Sequence, residues 1–152
     1  MARAPFLVFV YPYIRAGGNE FEYALLRSAE RGFWEGACGG GEGQETLLEA
    51  AKRETFEETG LPVDSSFVQL DTTAPVPVSR FRESSLWGDD VYVIPLRYFG
   101  VRADDRRILL SEEHSEYKWL KYQDARALLH FDDDKIALWE LDRRLRGLGP
   151  RD

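Results

Sequence analysis

The chain is short of sulfur, of positive charge and of long apolar runs. Cys38 is its only cysteine, so no internal disulfide can form, which suits a reducing cytoplasm. A net charge of −7 leaves no general basic surface for DNA or RNA, whose binding depends on cations releasing counterions. The apolar run Phe6–Tyr11 follows Arg3 but is interrupted by Pro12 and closed by Arg15, too soon for a signal-peptide core. No segment approaches the roughly 20 apolar residues needed to span a bilayer, and there is no internal repeat, linker or low-complexity stretch. These absences exclude a disulfide scaffold, a polyanion binder and a helical membrane protein. A cytoplasmic protein is expected, as a monomer or a homodimer.

What is present argues for one domain over residues 1–152. Thirteen per cent aromatic and 43% hydrophobic residues exclude disorder, and 152 residues can bury a full core. Residues 5–14 are β-branched and aromatic enough for a central strand, and Gly17-Gly18-Asn19 turns the chain into a second strand over Glu20–Ser28. Further strands are expected at Phe67–Leu70, Val76–Phe81, Leu86–Phe99 and Glu116–Leu120, with Pro75, Pro77, Gly88 and Pro95 as interruptions. A short helix is expected over Tyr122–His130 and a terminal one over Asp134–Arg146, where Ile136, Leu138, Trp139, Leu141 and Leu145 supply an apolar face. Asp132-Asp133-Asp134 suits that helix's N-terminus, where capping and the macrodipole favour acid. Strands before and after a central helix, with a helix at the end, suit an α/β mixed sheet between helices.

Everything else is arranged around residues 39–61, a glycine loop followed by a carboxylate-studded helix. Thr46 and Glu49 form a capping box, and Gly60 followed by Pro62 is a stop signal, which leaves about 14 residues of helix. At about 100° per residue, Glu54, Glu57 and Glu58 fall on one side. Their mutual repulsion calls for a compensating cation or for full solvation, with Arg53 pairing to Glu57 one turn on. Beside a glycine loop that can offer a carbonyl, three carboxylates make an all-oxygen site suited to Mg²⁺ or Mn²⁺.

Gly39, Glu45, Arg53, Glu54, Glu57, Glu58, Gly60 and Leu61 stand at the spacing G-x5-E-x7-R-E-U-x-E-E-x-G-U, where U is bulky and aliphatic. The stretch therefore resembles the Nudix box. Thr55 alone departs, standing where the family usually has Leu, Ile or Val, and looser packing under the helix is expected. The resemblance implies the Nudix fold, a mixed β-sheet sandwiched between α-helices (α/β/α), and hydrolysis of a nucleoside diphosphate linked to another group. It also implies Mg²⁺ held by Glu54, Glu57, Glu58 and the backbone carbonyl of Cys38. Arg53 would hold a box glutamate in place, and Glu45 would tie the loop to the helix.

Outside the box, residues 112–120 (Glu-Glu-His-Ser-Glu-Tyr-Lys-Trp-Leu) resemble the family's E-H-x-x-[FY]-x-W-L segment. Glu113, with Glu116 as fallback, is the candidate for a further metal-binding or base carboxylate. The general base is Glu54 or Glu113. Arg27 is placed like an arginine that meets substrate phosphate in relatives, with a surface ion pair as its equal alternative. Gly39 and Gly40 are the candidate backbone contacts to substrate, and Trp87 could stack on a base or belong to the core.

The Trp34-x-Gly36-Ala37-Cys38-Gly39 entry, the E-H…W-L segment and Lys135–Leu141 look most like the dATP pyrophosphohydrolase and dihydroneopterin triphosphate pyrophosphatase branch. That branch implies a nucleoside or pterin triphosphate cleaved to monophosphate and pyrophosphate. Pro77, about 16 residues beyond the box, keeps ADP-ribose or another nucleotide sugar as an alternative, with diadenosine polyphosphates as a third. A Nudix-fold binding or regulatory module without turnover is the alternative of a different class; such proteins typically lose box carboxylates, and this chain keeps them.

Overall fold

The computed structural model describes residues 2–151. Its centre is β1 (Arg3–Gly17), whose residues Val8–Tyr11 are buried on both faces. It runs antiparallel to β2 (Glu20–Ser28) and to β4 (Ala37–Glu42), and parallel to β6 (Val93–Arg102). The two-residue β3 (Trp34–Glu35) and β7 (His114–Lys121) pair with β2, while β5 (Phe67–Pro77) pairs with β6, completing a seven-stranded mixed sheet.

Strand alternation divides the core into two layers. Val8 and Val10 join Ala24, Leu26 and Phe99 beneath Ala50 and Ala51 of α1 (Leu47–Thr59). Phe9 and Tyr11 face the other way, joining Tyr23, Leu25 and Tyr98. Against them pack Ala125 of α2 (Tyr122–Leu128) and Leu138 and Leu141 of α3 (Asp132–Leu145). The expected α/β sheet between helices is therefore present. No helix among the described residues is long and apolar enough to cross a membrane.

Helix α1 follows its sequence signals closely. Thr46 Oγ1 accepts from the Glu49 amide, and Glu49 Oε1 accepts from the Thr46 amide. Gly60 ends the helix at φ 78°, a conformation that strains any residue with a Cβ.

Three expectations change. Gly39–Gly41 belong to β4, not to a loop: Gly39 and Gly40 pair with Val8 and Leu7, because the lack of side chains lets neighbouring groups close over this strand. Val76–Phe81 is not a separate strand. β5 runs unbroken to Pro77, since Pro75 opposes Pro95 on an edge strand where prolines are tolerated. Residues 82–86 form a 3₁₀ helix, so the strand expected from Leu86 begins at Val93, and Trp87 lies in a connection.

Candidate active site

Arg53, midway along α1, organises the contacts around it. Its Nε and Nη2 donate to the two oxygens of Glu45 at 2.8 and 3.0 Å, and Nη2 also donates to the Gly40 carbonyl at 2.9 Å. Its Nη1 donates to Glu54 Oε1 at 2.9 Å and lies 3.4 Å from Glu57 Oε2. A planar fork can satisfy several acceptors in fixed directions, which a lysine cannot. Glu45 Oε1 accepts from the Glu42 amide as well, so the glycine strand, the turn after it and the helix are tied at one point.

Glu54, Glu58 and Glu113 converge, with ligand oxygens within 4.8 Å of one another. Glu54 and Glu58 come from successive turns of α1, and Glu113 arrives beside them from the turn just before β7. Burial, before any other cause, pushes the carboxyls of Glu54 and Glu58 upward, and for Glu58 the neighbouring Glu54 pushes in the same direction. Glu58 Oε2 is buried with no hydrogen-bond partner among the described residues. Gly39 completes the cradle, because a Cβ there would overlap the Glu54 carboxylate. Two buried carboxylates with an exposed third beside them, an oxygen without a partner and a glycine that lets Glu54 close in suit a hard divalent cation such as Mg²⁺ or Mn²⁺.

Behind this cluster lies a support that sequence reasoning missed. His114 is buried, its Nε2 2.9 Å from Glu35 Oε2 and its Nδ1 3.5 Å from Glu58 Oε1. The Cys38 amide donates to the same Glu58 oxygen at 3.2 Å. Glu35 and His114 are 79 positions apart, and only the pairing of β3 and β7 on β2 brings them together.

Two cavities meet at Cys38 and Gly39. The smaller, about 190 Å³, is lined by Gly39–Gly41, Glu42, Glu54, Glu83, Glu113 and Arg3. The larger, about 340 Å³, has apolar and aromatic walls that include Trp34, Phe81, Leu96, Tyr98 and Phe131, with Arg31, Arg80, Glu35, Asp133 and Asp134 as its polar groups. Burial lifts the Asp134 carboxyl to about 6, opposed by the hydrogen bond its Oδ1 accepts from the Tyr98 hydroxyl at 2.6 Å. Asp133 and Asp134 thus lie in the first turn of α3, as expected, and also line a cavity.

The other candidates divide. Glu57 stands apart from the three-carboxylate cluster, its side chain 53% exposed and directed to Arg53. Cys38 lines both cavities, and its thiol is pushed well up, first by desolvation and then by Glu35 and Glu58, which disfavours a nucleophilic thiolate. Arg27 lines neither cavity; its Nε donates to the Gly32 carbonyl and its Nη1 lies 3.6 Å from Glu116. Trp87 lines neither, because its indole N–H is held by the Arg3 carbonyl at 3.0 Å and its ring packs on Phe81.

Comparison with known proteins agrees with the fold and with the family resemblance. A candidate Nudix hydrolase from Listeria monocytogenes is 36% identical with a TM-score of 0.83, the match covering 95% of this chain and 96% of that one. The Escherichia coli dihydroneopterin triphosphate pyrophosphohydrolase shares the fold at 23% identity and a TM-score of 0.74, over 93% and 97% of the two chains. A Caenorhabditis elegans Ap4A hydrolase does so at 20% and 0.72, over 95% and 99%. The family model described as the NUDIX domain matches residues 9–139, and the chain belongs to the Nudix family of hydrolases acting on pyrophosphate bonds.

Proposed function

We propose that the protein cleaves a nucleoside or pterin triphosphate to the monophosphate and pyrophosphate, using Mg²⁺ or Mn²⁺. The observation that carries this reading is the junction at Cys38 and Gly39. There a cavity walled by aromatic rings and one walled by carboxylates share two lining residues, which suits a flat heteroaromatic group in one and its phosphates in the other. At about 340 Å³ the larger cavity lies at the small end of ligand pockets and takes one nucleoside-sized group rather than two. That favours a triphosphate over a diadenosine polyphosphate.

Glu54, Glu58 and Glu113 would hold the cation, which when bound neutralises phosphate charge and acidifies water. The protein's own contribution is positioning. Arg53 fixes Glu54; the Cys38 amide holds Glu58; Gly39 makes room for the Glu54 carboxylate. Glu54 is already engaged by Arg53, whereas the exposed Glu113 carboxylate has no hydrogen-bond partner among the described residues. Glu113 is therefore the better placed of the two candidates to take the proton of the attacking water.

Product analysis with Mg²⁺ tests the reading on dATP, other nucleoside triphosphates, dihydroneopterin triphosphate, ADP-ribose and diadenosine tetraphosphate. Pyrophosphate and a monophosphate from a triphosphate, lost in Glu54→Gln, are expected. Turnover of ADP-ribose alone would move the protein to nucleotide sugars, and no turnover would favour a binding module.

A further inference from the structure

The smaller cavity holds one cation among the described residues that line it, Arg3. Arg53, close by, is not available to a ligand, since Glu45, Glu54 and the Gly40 carbonyl already occupy its donors. Arg3 differs on each count. Its side chain is 38% exposed, and its only carboxylate partner among the described residues is Glu83, at a loose 3.9 Å. It reaches the cavity across Gly40, where a Cβ would overlap its Nη1.

Its placement is nonetheless defined. The Phe81 ring lies 5.5 Å from the guanidinium carbon, and Trp87 Nε1 donates to the Arg3 carbonyl at 3.0 Å. Residues 81–87 thus contribute a ring, an acid and an indole N–H to the same arginine. A guanidinium aimed into a carboxylate-lined cavity, held by one weak ion pair, is matched to an incoming phosphate, which can take two parallel hydrogen bonds from it.

We propose that Arg3 binds non-bridging oxygens of the substrate's polyphosphate, and that Glu83 occupies the guanidinium until phosphate displaces it. Trp87 acts through Arg3, as a positioning residue. The inference deepens the triphosphate reading and rests on it for the identity of the substrate. It gives phosphate recognition to the first strand, and it assigns Trp87 a place in substrate binding without any stacking on a base.

The test is calorimetric binding of inorganic tripolyphosphate in excess Mg²⁺, with kinetics on whichever substrate wild type turns over. Arg3→Met should weaken tripolyphosphate about tenfold and raise KM more than it lowers kcat, with Arg3→Lys recovering part of the loss. Glu83→Gln should tighten binding about threefold, a gain that damage to the fold would not produce. Trp87→Phe should fall between wild type and Arg3→Met. Tripolyphosphate affinity within twofold of wild type in Arg3→Met, no binding by wild type, or weaker binding in Glu83→Gln would overturn the assignment. Because the binding probe carries no nucleoside, this result stands apart from the substrate panel, which alone decides the triphosphate reading.

Discussion

Replacing Gly39 with alanine isolates the positioning of Glu54 from the stability of the fold. Gly39 does not have the positive φ that strains alanine, so the backbone accepts the change. The added methyl, however, would overlap the Glu54 carboxylate carbon and both its oxygens. To restore ordinary contact the carboxylate must retreat by on the order of 1 Å, the scale of misplacement that costs about 100-fold in rate. That retreat also disturbs the 2.9 Å bond from Arg53 and the convergence with Glu58 and Glu113. The strain of one surplus methyl is about 1–3 kcal/mol, equivalent in a chain of this size to a loss of roughly 3–10 °C in Tm. We therefore expect Gly39→Ala to remain folded at 25 °C while kcat falls about 100-fold. The assay is initial-rate kinetics beside circular-dichroism melting. Wild-type kcat in a folded Gly39→Ala protein, or an activity loss that merely follows the unfolded fraction, would show that Gly39 does not set the position of Glu54.

Two further substitutions probe buried polar groups. Thr55 is fully buried and its hydroxyl has no hydrogen-bond partner among the described residues, so Thr55→Val should stabilise by about 1 kcal/mol; a lower denaturation midpoint than wild type in urea would contradict this. Asp134 has its carboxyl lifted from 3.8 to about 6 by burial, so the folded chain keeps a proton that the unfolded chain releases. Its stabilising contribution is complete below about pH 4 and is lost as pH rises to about 6, a total of about 3 kcal/mol. Asp134→Asn keeps an acceptor for Tyr98 and should remove this component; stability profiles of the two proteins that stay parallel from pH 4 to 7 would count against it.

The local parts of the fold were legible because their signals are local. The capping box at Thr46 and Glu49, the glycine stop at Gly60 and the strand Glu20–Ser28 need only neighbouring residues, and each stands where the sequence puts it. The prolines misled because their meaning depends on what lies opposite. Pro75 and Pro95 face each other and leave β5 unbroken. The glycines of β4 read as a loop, because nothing in the sequence says that Arg3, Phe6 and Glu54 close over them.

Of the site, the carboxylates of α1 and their local supports Arg53 and Glu45 were visible through their spacing, while the support from distant residues was not. Glu35 meets His114 from 79 residues away. The irregular pairing of β5 near Asp71 and Thr72 is satisfied by the Glu140 carboxylate, which takes both of their amides at 2.7 and 2.8 Å, a contact across 68 and 69 residues. Helical spacing places Glu57 with Glu54 and Glu58, but Arg53 draws it outward while burial keeps the other two in. No periodicity encodes that difference.

Glu54, Glu58 and Glu113 are proposed to form a divalent-cation site to which Glu57 contributes less. Titration of Mn²⁺ followed by electron paramagnetic resonance, which counts the free ion, tests it most directly. Saturable binding to wild type is expected, weakened at least about tenfold in Glu58→Gln, and changed much less in Glu57→Gln. Equal binding by wild type and Glu58→Gln, or a larger loss in Glu57→Gln, would contradict the account.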